Sequence, residues 1–353
     1  MYIYPIIYLC ILLSSWIDFA KKPNRIVYVY FIGIFLLFFA GFRGNAGIDS
    51  PNYIYYFNDR TDTIWDWRNL KHGYSEPGFY YLSVILKSVN NDINFYFLFI
   101  SLISMIPLIR SLSALSLYPI LGFIVYFARF FPARNMNQIR AALAIAIVMY
   151  ALKYLIENKP RVYTLLTLLA MTFHLSAIIA IIFIFIYKIK ISLKMAVFFL
   201  FLSAVVGVSA QAIVPILLRF RASNLAVLGL GYLTYGNIGM NNPVIYYQIF
   251  LCLLFFYFEK RLSSIQKGYY IIRNAYLFST IILLLTANMG VIGGRLATLF
   301  ATCEIFIVPA LVFTIRPRII GYVAMILLLS IIFYFNFDKM LLEYRGWEYK
   351  INW

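Results

Sequence analysis

The chain has 353 residues, 63% of them hydrophobic and 12% charged, with a mean hydropathy of +0.85. A soluble domain carries about 25% charge, so this composition excludes one and defines a polytopic membrane protein. The net charge of +17 would point to nucleic acid in a soluble chain; here Lys and Arg sit in short clusters between apolar runs, as orientation signals do, and nucleic-acid binding is excluded.

The first apolar run, Tyr2 to Phe19, lacks a basic start and a small-residue cleavage site and reads as a retained span. Lys21, Lys22 and Arg25 then mark a cytoplasmic turn, which puts the N-terminus outside. Ile26 to Phe42 crosses outward and delivers a polar segment, Arg43 to Glu76. That segment holds Asp49, Asp59, Asp62, Asp66 and Glu76 out of 13 acids in the chain, a concentration on one external loop. Tyr53, Tyr55, Tyr56, Trp65 and Trp67 are interleaved with them. Carboxylates bind hydroxyls and aromatic faces cover sugar rings; a solvated loop is the plainer reading, against which so many aromatics argue.

Pro77 to Val89 is too short to span and is expected to lie in the outer interface. Arg134, Asn137, Gln138 and Arg140 head the next informative run, Ala141 to Leu155. An Arg near a helix centre costs about 2.5–3.5 kcal/mol on insertion scales, so it must face protein, water or an anion. Ala133, Asn137, Ala141 and Ala144 recur at helical spacing and admit a close neighbour beside the arginines. Snorkelling at a helix end accounts for Arg134 as well as function does, and less well for Arg140, a turn further in.

Val162 to Tyr187 lies between two basic turns, Lys159 with Arg161 and Lys188 with Lys190 and Lys194. One full crossing would put a basic turn outside, so the run is expected to enter from inside, break near His174 and return. A single tilted helix is the alternative. The break would bring Arg43, Asp49, Glu76, Arg134, Arg140 and His174 to the outer face. Met195 to Leu218 runs out to a loop, Arg219 to Asn242, and Pro243 to Phe258 returns to Lys260, Arg261, Lys267 and Arg273. Ala275 to Val291 leads to a turn at Gly293, Gly294 and Arg295, and Leu296 to Thr314 comes back to Arg316 and Arg318. Ile319 to Phe337 leaves the C-terminus outside, with a Trp- and Tyr-rich tail of the kind that anchors in an interface. The expected organisation is two N-terminal spans (1–42), a loop with an interfacial helix (43–93), a helical core (94–194), C-terminal spans (195–337) and a tail (338–353).

The candidate chemistry sits on the outer side. Six arginines gather there, Arg43, Arg134, Arg140, Arg219, Arg221 and Arg295, and a planar guanidinium fork holds phosphate. A structural-lipid site has the same composition. His174 can act as a base or as a phosphate donor, although a lone His in an apolar run is commonly a satisfied core residue. Glu76 before Pro77 reads equally as a helix cap, and Asp49 after Gly47 and Ile48 as a turn residue. Glu304, inside a span, must be neutral or matched to an arginine or hydroxyl. Cys10, Cys252 and Cys303 have no pairing or metal spacing, and two histidines, His72 and His174, argue against a protein-made zinc site. No metal and no cofactor are expected.

Phe42-Arg43 with Gly47-Ile48-Asp49 and Tyr53, then Glu76-Pro77-Gly78-Phe79, then Arg140 with Ala144, then Phe173-His174-Leu175-Ser176 resemble the EpsG-like branch of Wzy-type polysaccharide polymerases. The likeness runs in order from Phe42 to Arg295. It implies an all-α, GT-C-like polytopic protein of about 10–12 helical membrane segments, some short or re-entrant, with a large periplasmic loop. It implies a bacterial inner-membrane glycosyltransferase that moves a growing glycan from undecaprenyl diphosphate onto a lipid-linked repeat unit at the periplasmic face. Membrane lipid and a chain-length regulator are the further partners on this view. By that likeness Arg43, Arg140, Arg295 and Arg134 bind diphosphate, Tyr53 binds glycan, and His174, Asp49 or Glu76 deprotonates the acceptor hydroxyl. The rivals are a lipid-linked oligosaccharide flippase or other transporter, weakened by the lack of an internal repeat, and an acyltransferase or O-antigen ligase, which share an outward arginine and histidine.

Overall fold

In lipid every backbone N–H and C=O must be satisfied within the chain, and long apolar runs do this by forming helices. A computed structural model, describing residues 2–19, 22–65, 75–219, 239–342 and 344–349, contains helices and no strand among those residues. In chain order the α-helices are α1 (Ile3–Ser14), α2 (Lys22–Gly41), α3 (Ser50–Tyr55), α4 (Pro77–Val89), α5 (Ile93–Leu115), α6 (Pro119–Arg129), α7 (Phe131–Arg134), α8 (Ile139–Ile156) and α9 (Pro160–Phe173). They continue as α10 (Ile178–Phe183), α11 (Leu193–Arg219), α12 (Pro243–Tyr257), α13 (Glu259–Ile265), α14 (Tyr269–Leu285), α15 (Gly290–Ala301), α16 (Glu304–Ile307), α17 (Arg318–Leu342) and α18 (Tyr344–Trp347). Among the described residues α5, α8 and α17 are long and apolar enough to cross a membrane as they stand, and α1, α2, α6, α11 and α14 include shorter apolar stretches. The protein is an all-α multi-pass membrane protein.

The chain divides into two compact units, Met1–Ile178 with Glu304–Trp353, and Ile179–Cys303. In the first, α8 is the axis. Apart from Arg140 near its start and Lys153 in its last turn it is almost wholly apolar, and 72% of its most apolar window is buried, as a helix with so little polar surface should be. Ala141 and Ala144 are both buried, and α5 and α9 pack closely along it. By contrast α17 is 22% buried over its window and turns most of its apolar surface outward, while its inner side packs on α6.

Glu304 begins α16 fully buried, and its Oε2 lies 2.9 Å from Nε of Arg129 at the end of α6. The required match is therefore an arginine. Removing one partner strands the other charge, so Glu304→Ala should cost about 3–5 kcal/mol, whereas Arg129→Met with Glu304→Leu together should cost far less. Thermal unfolding of the purified protein in detergent checks both values.

The short run Pro77–Val89 forms α4 with the expected bounds, and α9 ends at Phe173 with His174 extended (φ −156°, ψ 122°). The expected break at His174 is present. In the second unit α11 and α15 pack on α14, and α12 meets α13 at a bend of 80°. Two expectations fail there and at its end. Gly293, Gly294 and Arg295 lie inside α15, and the turn falls earlier, at Thr286–Met289. The run Leu296–Thr314 is no single helix; it breaks at Thr302–Cys303 and passes through α16 into a 3-10 turn at Pro309–Thr314.

Candidate functional site

Pro77, with φ fixed near the helical value and no N–H to lose, opens α4 and leaves Glu76 extended at its N-cap. The Glu76 side chain makes no capping bond. Its carboxylate turns to three other groups of the first unit. Oε1 accepts from Nδ1 of His174 at 2.9 Å and from the backbone N–H of Leu175 at 3.3 Å. Oε2 accepts from Nη1 of Arg140 at 2.6 Å. Side-chain exposure is 19% for Glu76, 14% for His174 and 30% for Arg140, so the cluster is partly enclosed and opens most at the guanidinium.

Local sequence explains how residues so far apart meet. Gly78 lies against α9 so closely that a Cβ there would stand 2.2 Å from Oγ1 of Thr172 and 2.8 Å from its carbonyl oxygen. Where α9 stops, the N–H of Leu175 loses its helical acceptor, and Glu76 supplies one. Gly47 holds the other wall: with φ +110°, its missing Cβ would meet the carbonyl oxygen of Met136 at 1.8 Å. That approach lets the N–H of Asp49 donate to Oδ1 of Asn137 at 2.7 Å, three residues before Arg140. Beneath lies an aromatic cluster of Tyr53, Phe57, Phe79, Tyr96 and Phe97, so part of the loop's aromatic content is core. Trp65 is 80% exposed.

Burial pushes the Glu76 carboxyl up, but the hydrogen bond from His174 and the charge of Arg140 prevail and hold it at about 2. Glu76 is then an anion that only accepts, so Nδ1 of His174 carries its proton toward it. In the neutral imidazole this leaves the Nε2 lone pair free to take a proton. Because the folded value is depressed, the stabilisation from Glu76 is present above its ordinary value of about 4.5 and is lost as the pH falls from there toward about 2. Acid titration of thermal stability should show this loss in the wild type and a smaller one in Glu76→Gln.

The other expected site residues occupy distinct places. The Tyr53 hydroxyl is hydrogen bonded to Arg140, and the Asp49 carboxylate is close enough to Tyr53 to influence it. Arg43 is 1% exposed; its Nη1 donates to the Asn135 carbonyl at 2.6 Å, and its guanidinium lies 3.9 Å from the Phe97 ring centre. Burial lowers it to about 10, opposed by Tyr53 and Tyr96, and it stays cationic at neutral pH. It satisfies a carbonyl freed between α7 and α8, as irregular backbone at such depth requires. Arg134 is buried with Nη1 on Oε1 of Gln138. Arg295 belongs to α15 of the second unit and is half-buried. Asp66, Trp67, His72 and Arg221 lie outside the described residues. Among the described residues no group of three His, Cys, Asp or Glu is placed to hold a metal ion. Two contributors, the Leu175 N–H and Gly78, stand in the resembling motifs but are given no role from the sequence.

Helices around a shared carboxylate, imidazole and guanidinium define a multi-pass membrane protein with an enzyme-like polar cluster. The chain belongs to the EpsG family, which it matches over residues 26–350. It is also similar to the amylovoran biosynthesis protein AmsC of Erwinia amylovora, with 23% identity over 322 residues covering 86% of this chain and 84% of that protein. No solved structure matches it.

Proposed function

We propose that this chain is a polysaccharide polymerase of the Wzy type, working at the periplasmic face of a bacterial inner membrane. Its donor is a growing glycan on undecaprenyl diphosphate, and its acceptor is the terminal sugar of another lipid-linked repeat unit. The observation that carries the reading is that one carboxylate, Glu76, holds both the His174 imidazole and the Arg140 guanidinium. EpsG-family membership and the likeness to a protein named for amylovoran biosynthesis support it.

His174 Nε2 takes the acceptor hydroxyl proton as that oxygen bonds to the donor's anomeric carbon. The bond from that carbon to the diphosphate oxygen breaks, and the electron pair leaves with the diphosphate. Arg140, the most open member of the cluster, faces the charge that develops there. Glu76 stabilises the imidazolium, and Asp49 with Tyr53 binds sugar hydroxyls beside it. The enclosed Arg43 holds the Asn135 carbonyl, and the buried Arg134 holds the Gln138 side chain, in the stretch that leads to Arg140.

In cells lacking the protein, surface polysaccharide should collapse to one repeat unit on its lipid carrier. An unchanged ladder would contradict the proposal. Loss of even the single-unit form from the surface would support a flippase, and free polymer left on lipid would support a ligase.

A further inference from the structure

A cavity of about 220 Å³ in the first unit is lined by residues of α6, the 132–138 stretch, α17 and α18. Its polar lining comprises Arg129, Asn137, Gln138, Asn336 and Lys339, with Trp347 as the aromatic wall and no carboxylate. Arg129 is neutralised by Glu304, so Lys339, which forms no salt bridge among the described residues, leaves the lining net positive. Lys339, Asn336 and Asp338 are all exposed, and of the three Asp338 alone does not line the cavity.

The amides are only half used. Asn137 Oδ1 is taken by the Asp49 N–H, Gln138 Oε1 by Arg134 and Asn336 Nδ2 by the Ala128 and Ile332 carbonyls. This leaves two amide NH₂ groups and one amide oxygen for a ligand.

The C-terminal segment supplies one wall of this cavity through Trp347 and is itself fastened. Gly47 N–H donates to the Gly346 carbonyl at 2.7 Å, the Tyr349 ring stacks on Phe39 at 4.4 Å, and its hydroxyl donates to the Phe39 carbonyl at 3.0 Å. Trp347 is thereby 4% exposed, packed against the protein.

Spare donors, a spare acceptor, an indole wall and one uncompensated ammonium match a hydroxyl-rich ring bearing an acid group. The volume falls below the roughly 300–1,000 Å³ of drug-sized sites and limits the occupant to about one such ring. We propose that this half-open, tail-walled pocket is a subsite for one acidic sugar of the saccharide. Asn137 and Gln138 line it while Arg140, on the same short segment, reaches Glu76, so one stretch of chain serves both places. Its place on the polymer's path rests on the polymerase reading; the binding does not.

Saturation-transfer NMR on the full chain in detergent, with glucuronic acid and glucose as probes, separates the two. Wild type and His174→Ala should both bind glucuronic acid, and more tightly than glucose. Lys339→Ala should weaken glucuronic acid about tenfold, the loss of one charged contact, and leave glucose unchanged. Asn336→Leu should weaken both sugars. Absence of signal from wild type, equal binding of the two sugars, or unchanged glucuronic acid binding in Lys339→Ala would overturn the proposal. Glucuronic acid binding without any polymerase activity would instead count against the polymerase reading alone.

Discussion

Glu76→Gln is expected to reduce chain growth by about 10³–10⁴-fold while the protein still reaches the membrane, because it reverses the proton arrangement on His174. As an anion Glu76 only accepts, which puts the proton on Nδ1 and keeps the Nε2 lone pair free. An amide can present its NH₂ to Nδ1 and favour the other tautomer, in which Nε2 bears the proton and cannot act as a base. The same change removes the ion pair to Arg140 at 2.6 Å. His174→Ala should lose as much by removing the proposed base itself. The double variant should be no worse than either, since groups acting as one unit do not add. Glycan ladders compared at equal membrane protein level give the measurement. A double variant much worse than both singles would mean that the two residues act separately.

The second large effect is at Arg140, where alanine should cost about 10²–10³-fold in chain growth, the usual loss on removing one group that stabilises a developing anion. Lysine should restore only part of it. An ammonium keeps the charge but loses the planar fork that reaches Glu76 and Tyr53 and, on the proposed mechanism, would take a phosphate oxygen as well. The split should lie in the catalytic rate more than in substrate affinity, measured as turnover against lipid-linked substrate concentration. Full activity in Arg140→Lys would reduce its role to a point charge.

Some of this arrangement is legible in the chain and some is not, and the division follows range. Arg140, Glu76 and His174 stand out because charged or titratable groups at the edge of apolar runs are costly unless something meets them. The break at His174 follows from the basic turns on either side of its run. What the sequence hides is that one carboxylate serves both partners. That depends on Gly78 packing against Thr172, a contact between segments nearly a hundred positions apart, and a glycine next to a proline reads locally as a helix start.

Other misreadings have local causes. Gly293 and Gly294 resemble a turn, yet α15 runs through them, because Gly293 lies where a Cβ would meet the Thr286 carbonyl oxygen at 2.4 Å. The actual turn, Thr286–Met289, has no Gly or Pro to announce it. Glu304 was bound to be matched, but Arg129 as its partner is a matter of packing between α6 and α16. A content of Trp and Tyr does not specify that Trp347 is buried; that follows from the bonds that fasten the segment at Gly346 and Tyr349.

The most direct test of the account is reconstitution of the purified chain in liposomes with repeat units linked to undecaprenyl diphosphate as the sole substrate. Wild type should form products of two or more units and release the lipid diphosphate with each bond made, and Glu76→Gln should form none above background. Failure of the wild type to lengthen the glycan, or equal lengthening by the variant, would contradict the account.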